Sequence, residues 1–174
     1  MDLEQARPRR LILLRHAKSQ WPDGVLDPDR PLADRGIADA TAAGPMLADL
    51  GTPDVVLCSP AVRTQQTWRL VSLALTDPPA PRIEPVIYGA SVPELLDLIR
   101  DVADDVGTLL VIGHEPTMST TADLLAGPGS STADLARLRS KYPTAGMAVF
   151  EMLVPWAQIA AKSAALERFV IPRG

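Results

Sequence analysis

Short apolar runs of strand length, each closed by a polar, proline or glycine break, recur along the chain at 11–14, 54–58, 82–87, 109–112, 148–154 and 166–171. Uninterrupted Val/Ile/Leu runs of this length mark strands covered on both faces. Between them, apolar residues return at helical spacing over 32–50, 61–75, 93–102 and 117–125, and Gly44-Pro45 is expected to break or kink the first of these helices. Alternating strand and helix signals predict a single α/β domain in three layers, α/β/α, around a mostly parallel sheet. The link at 155–165 is short for a crossover, so the last two runs fit an antiparallel edge.

Three further segments read as loops: 20–31, rich in Pro, Asp and Gly; 77–81, nearly all proline; and 127–131, rich in Gly and Ser. Residues 1–10 are polar and charged and read as a disordered tail, which leaves 11–174 as one domain without repeats or linkers.

Composition narrows the possible partners. The formal net charge of −4 over 174 residues, with no basic block beyond residues 7–10, argues against non-specific binding to nucleic acid or to a membrane surface. A bound anion would have to be held by a local site. Cys58, the single cysteine, rules out an intrachain disulfide and a cysteine-rich zinc site and suits a reducing compartment. With no apolar stretch long enough for a secretory signal or a membrane span, the expected location is the cytoplasm.

Both histidines stand where an apolar run ends. The run 11–14 leads into Arg15-His16, and 109–112 leads through Gly113 into His114-Glu115-Pro116. Carboxyl ends of parallel strands line the ligand crevice of an open α/β sheet, so two strands can aim two imidazoles at one point. A third run leads into Ser59-Pro60-Ala61-Val62-Arg63-Thr64, where Ser59 is expected as helix N-cap and Arg63 falls in the first turn. Taken singly, Arg63 is the solvated face of a helix, Ser59 a cap and His114 a core histidine. Three strands bringing two arginines and two histidines to one rim is a different matter. A cluster without thiols or carboxylate ligands suits a dianionic phosphoryl group better than a metal, and no cofactor is expected.

These residues also carry a family resemblance. Arg15-His16-Ala17-Lys18-Ser19-Gln20-Trp21 resembles the Arg-His-Gly-Glu-Ser-x-Trp opening of the histidine phosphatase superfamily, the phosphoglycerate-mutase-like proteins. Ser59 to Thr64 resembles its second motif, residues 111–116 its third, and Arg30-Pro31-Leu32 with Arg35-Gly36 is the sort of segment that follows the first. Within the superfamily, the short chain is most similar to SixA-type protein-phosphohistidine phosphatases. The resemblance implies that His16 takes the phosphoryl group covalently while Arg15, Arg63 and His114 hold its oxygens, with Ser19 beside them. Guanidinium charges nearby are expected to keep His16 unprotonated.

Departures from the pattern shape the rest of the expectation. Ala17 stands for the usual Gly, Lys18 for the Glu, and Pro22 where mutases have a phosphate-binding Asn. The interval between the second and third motifs is short, and a catalytic acid is not evident in it. Its acidic candidates are Glu84, Glu94, Asp97 and Asp101, the last three on a helix where a solvated face explains them; Asp27, Asp29 and Glu115 are the other candidates near the motifs. Glu115 is equally a first-turn carboxylate of the next helix. The expected activity is a metal-independent phosphatase acting on a phosphorylated substrate, a phosphohistidine-carrying protein first. The alternatives are a small-molecule phosphomonoesterase with the same four residues and a phosphate-binding module that turns over little.

Overall fold

A computed structural model of the chain describes residues 8–174. The strands are β1 (Arg10–Arg15), β2 (Val55–Cys58), β3 (Arg82–Ile83), β4 (Thr108–Gly113), β5 (Met147–Met152) and β6 (Ala164–Val170), and they form one sheet in the order β3-β2-β4-β1-β5-β6. β3, β2, β4 and β1 pair in parallel; β5 runs against both β1 and β6. The sheet is therefore mostly parallel with an antiparallel pair at one edge, as the short 155–165 link implies.

Five helices cover it: α1 (Asp34–Ala48), α2 (Val62–Ser72), α3 (Val92–Arg100), α4 (Thr117–Leu125) and α5 (Thr132–Ser140). Alternate strand residues face opposite layers. Ile12, Leu14, Val56, Cys58, Leu110 and Ile112 pack with Ala40, Ala43 and Leu47 of α1 and Trp68 and Val71 of α2. Leu11, Leu13, Val55, Leu57, Leu109 and Val111 pack with Leu95 and Ile99 of α3, Met118 and Ala122 of α4 and Leu138 of α5. Both faces are thereby closed, which is why the strands read as unbroken apolar runs. No described helix is long and apolar enough to cross a membrane.

Four features differ from the sequence reading. The run 82–87 gives only two strand residues, because Pro85, with no amide proton to donate, starts a helical turn at Pro85–Gly89. Pro45 does not break α1; it lies exposed in the last turn, where only one helical hydrogen bond is lost. The α2 N-cap is Ala61 and not Ser59, whose hydroxyl makes a different contact described below. Helix α5 was not foreseen: only Leu138 of it is buried, so it carries almost no periodic signal, and its start rests on Ser131 accepting from the Asp134 amide. Of the expected tail, residues 1–7 lie outside the described residues. Arg9 pairs with Asp104 at 2.6 Å and Arg10 opens β1.

Close packing of α1 fixes the segment that follows β1. The Lys18 carbonyl accepts from the Ala33 amide at 2.9 Å, and a Cβ placed on Gly36 would lie 2.0 Å from that same oxygen. Only a glycine lets α1 and the 16–19 segment approach so closely. Gly36→Ala should therefore destabilise the protein by about 1–3 kcal/mol in urea unfolding, even though alanine is the better helix former by roughly 1 kcal/mol. Unchanged or raised stability would show that the segment yields freely and does not depend on this contact.

Candidate active site

β1 and β4 pair in parallel with Arg15 opposite Gly113, so the next residue on each strand is a histidine. The His16 amide donates to the Gly113 carbonyl at 3.1 Å, and the two imidazole centroids stand 5.2 Å apart with planes inclined at 55°. On the other side of β4, the Ser59 amide donates to the Ile112 carbonyl at 3.2 Å and brings the end of β2 to the same rim. In the first turn of α2, Arg63 reaches back over that rim, with Nη2 3.4 Å from His114 Nδ1. Topology alone thus brings Arg15, His16, Arg63 and His114 together.

His16 is 9% exposed, and its Nδ1 lies 2.7 Å from the Ala17 carbonyl oxygen. That oxygen can only accept, so Nδ1 carries the proton and Nε2 keeps its lone pair. Burial pushes the His16 pKa down to about 3 against the opposing effect of the Ala17 hydrogen bond; His114, Arg63 and Arg15 add smaller effects in the same direction as burial. The guanidinium charges expected to keep His16 neutral are hence a secondary cause. His114 is held down to about 4, again chiefly by burial and then by Arg63.

The loop 20–31 supplies what fixes the arginines. Asp27 sits in a helical turn at Asp27–Asp29 and accepts from Arg30 Nη1 at 2.8 Å, from Arg63 Nη2 at 3.1 Å and from the Tyr88 hydroxyl. Its backbone carbonyl takes a further bond from Arg63 Nη1 at 2.8 Å. Tyr88, Arg30 and Arg63 together hold its carboxyl well below the usual carboxylate range. Arg30, which is buried, also donates to Ser19 Oγ at 2.6 Å and to the Gln20 carbonyl at 2.8 Å, and its guanidinium lies 3.2 Å from the centre of the Trp21 ring. Arg15 donates to the Tyr142 carbonyl at 2.8 Å. Arg15 Nε and Arg63 Nε are buried without a partner among the described residues, so both guanidinium groups keep unused donor capacity.

A pocket of about 220 Å³ is lined among others by Arg15, His16, Lys18, Ser19, Arg30 and Arg63; His114, 3.4 Å from Arg63, is not part of that lining. Its walls are rich in cations and donors around one unprotonated imidazole nitrogen. Such a lining suits a tetrahedral oxyanion with a nucleophile at its centre. Ser19 lines it, with its hydroxyl tied to Arg30. Arg30, Lys18 and Tyr88 were not among the residues singled out from sequence. Arg30 had a weak signal in its place after the first motif; Tyr88 had none, since it depends on the helical turn that replaces the expected strand.

The carboxylates considered as acids are scattered. Asp27 is inside the site but as an anionic anchor for Arg63 and Arg30. Glu115 is turned toward α4, where its oxygens accept from the Ser119 amide at 2.9 Å and the Ser119 hydroxyl at 2.6 Å. Asp29 is exposed on its turn. Glu84 is fixed by its amide on the Cys58 carbonyl at 2.9 Å, and its carboxylate has no partner among the described residues. On α3, Glu94 closes a capping box with Ser91 and Asp97 pairs with Arg100 at 2.6 Å, as expected of a solvated face. Burial pushes the Cys58 thiol up to about 12, which removes it as a nucleophile.

Known proteins resemble this chain in sequence and fold. The family model of the histidine phosphatase superfamily (branch 1) matches residues 11–85. An uncharacterised protein of Mycobacterium tuberculosis is 46% identical over 162 residues, spanning 92% of this chain and 100% of the relative. Among solved structures, the Nakamurella multipartitia protein assigned as the phosphohistidine phosphatase SixA superposes with a TM-score of 0.82 at 34% identity, covering 94% of this chain and 96% of the other. The Agrobacterium tumefaciens protein of the same assignment gives 0.79 at 32%, covering 95% and 99%.

The lowered histidine pKa values should show in the pH dependence of stability. In the unfolded chain both titrate near 6.5, whereas in the folded protein His16 does so at about 3 and His114 at about 4. Between those limits the unfolded state binds more protons, so stability is complete above about pH 6.5 and falls as the pH drops through that window. Urea unfolding measured from about pH 7 to pH 4 should give a shallower decline for His16→Asn than for the unaltered protein. Equal slopes would mean that His16 is not held neutral by the fold.

Proposed function

The chain belongs to the histidine phosphatase superfamily, and from that premise we propose that it is a phosphatase whose nucleophile is His16 and whose substrate class is phosphohistidine carried on a protein. The observation that carries this reading is the state of His16: a neutral ring, proton fixed on Nδ1 by the Ala17 carbonyl, lone pair on Nε2, within a pocket lined by arginines. In the first step the Nε2 lone pair forms a bond to phosphorus while the leaving group departs with the electron pair of its own bond. Water then attacks the phosphoryl-imidazole, loses a proton, and releases phosphate and neutral His16. Arg15, Arg63 and His114 bind the three phosphoryl oxygens, where charge is spread in the transition state. Ser19 and Arg30 line the wall beside them. The donors that meet the anion are guanidinium and imidazole groups, so the proposed reaction needs no metal.

Leaving-group chemistry supports nitrogen over alkyl oxygen. An alkoxide requires a proton from a positioned acid, and of the candidates off the α3 face Asp27 and Glu115 are engaged and Asp29 is exposed. A phosphohistidine whose other nitrogen already bears a proton leaves as neutral imidazole, whose conjugate acid has a pKa of about 6.5, and needs no acid from the enzyme. SixA is the assignment of the similar structures from Nakamurella and Agrobacterium, which points to the same class. Glu84, with its free carboxylate at the rim beside β2, is the one group that favours a phosphomonoesterase instead.

Kinetics with a phosphohistidine-bearing protein and with alkyl phosphate esters under one set of conditions separates these readings. The expected result is a clear preference in kcat/KM for the phosphohistidine protein, unchanged by Glu84→Gln, and a loss of about 10³-fold or more for His16→Ala on either substrate. A preference for the alkyl ester that disappears with Glu84→Gln would make the protein a phosphomonoesterase. Retained turnover in His16→Ala would remove His16 from the chemistry.

A further inference from the structure

Ser59, missing from the α2 cap, has its hydroxyl against the second histidine. The residue is wholly buried; its Oγ lies 2.8 Å from His114 Nε2 and accepts from the Ala61 amide at 3.3 Å. Thr64 Oγ1 donates to the Ser59 carbonyl at 2.8 Å and holds that backbone in place. A serine hydroxyl has one proton and two lone pairs. With one lone pair given to Ala61, it can still either accept from Nε2 or donate to it.

The other ring nitrogen decides which of these is required. Arg63 Nη2 stands 3.4 Å from His114 Nδ1, and a guanidinium only donates, so in the unliganded pocket Nδ1 accepts and the ring proton sits on Nε2, where Ser59 accepts it. An oxyanion bound between Arg63 and His114 reverses the demand. Its oxygens only accept, and Nδ1 must then donate. In the empty pocket burial and Arg63 hold the His114 pKa down to about 4, and a ring that stays neutral in the complex has a single proton to place. That proton must be on Nδ1 in the complex, and Nε2 then needs a donor.

We infer that Ser59 is the positioning residue that sets the tautomer of His114, accepting from Nε2 in the empty pocket and donating to Nε2 when a tetrahedral oxyanion is bound. The inference rests on the reading of His114 as an oxyanion ligand. Between the two states the ring gives up the Nε2 proton to solvent and takes one at Nδ1, so the charge of the ring does not change. Serine suits this position because its hydroxyl turns about one bond without moving the backbone; alanine offers Nε2 nothing, and a fixed amide or carbonyl would serve only one state.

Long-range proton–nitrogen NMR of the histidine rings reads the tautomer directly, with tungstate as the probe. In the unaltered protein, His114 should carry its proton on Nε2 without tungstate and on Nδ1 when saturated, while His16 keeps its proton on Nδ1 throughout. Ser59→Ala should bind tungstate roughly two- to tenfold more weakly and show an incomplete shift of the His114 proton, as expected for loss of one neutral hydrogen bond. A His114 that keeps its proton on Nε2 in the saturated protein, or becomes doubly protonated there, overturns the inference and leaves the phosphatase reading intact. Tungstate that perturbs neither ring at any concentration overturns the phosphoryl pocket itself. The measurement on the unaltered protein decides the matter even if Ser59→Ala does not fold.

Discussion

The parallel register of β1 on β4 is the constraint from which the candidate site follows. Arg15 opposite Gly113 makes His16 and His114 neighbours, and the parallel pairing of β2 on β4's other edge brings Ser59 and the first turn of α2 to the same rim. A slip of one residue would turn every strand side chain to the opposite layer and exchange the two cores, so the register is held by the whole apolar content of the sheet. Arg15, His16, Ser59 and His114 stand at the carboxyl ends of these strands and inherit that rigidity.

Placing a neutral imidazole among arginines raises an electrostatic difficulty that the 20–31 loop answers. Arg30 and Arg63 are both buried, and buried guanidinium groups need anionic partners. Asp27 serves both, and Tyr88 donates a third bond to the same carboxylate. With its charge committed in this way, Asp27 makes a poor proton donor and an effective anchor. The same loop carries Trp21, stacked on Arg30 and largely exposed, so one segment orders the arginines and forms the outer lip of the pocket.

Much of this was legible in the sequence, for a physical reason. Strands buried on both faces must be apolar throughout, so their ends are sharp, and Arg15, His16, Ser59 and His114 stand out as the first polar residues after each run. Arg63 followed from the motif and the helix start. Less legible was everything set by tertiary contact. Asp27, Arg30 and Tyr88 meet only because a loop and a helical turn from separate parts of the chain close over the rim, and no periodic pattern records such a meeting. Helix α5 escaped notice because a helix that buries one leucine has little amphipathic signal, and β3 was overread because an apolar run says nothing about where a proline ends its pairing.

The central claim is that His16 accepts the phosphoryl group through one particular nitrogen. With Nδ1 tied to the Ala17 carbonyl, the proposed bond to phosphorus would have to form at Nε2. Acid-labile, alkali-stable phosphoprotein trapped during turnover, digested and examined by mass spectrometry and phosphorus NMR, should carry its label on His16 as the Nε2-linked isomer. Label at Nδ1 of His16, or on Ser19, Ser59 or Cys58, would contradict the account.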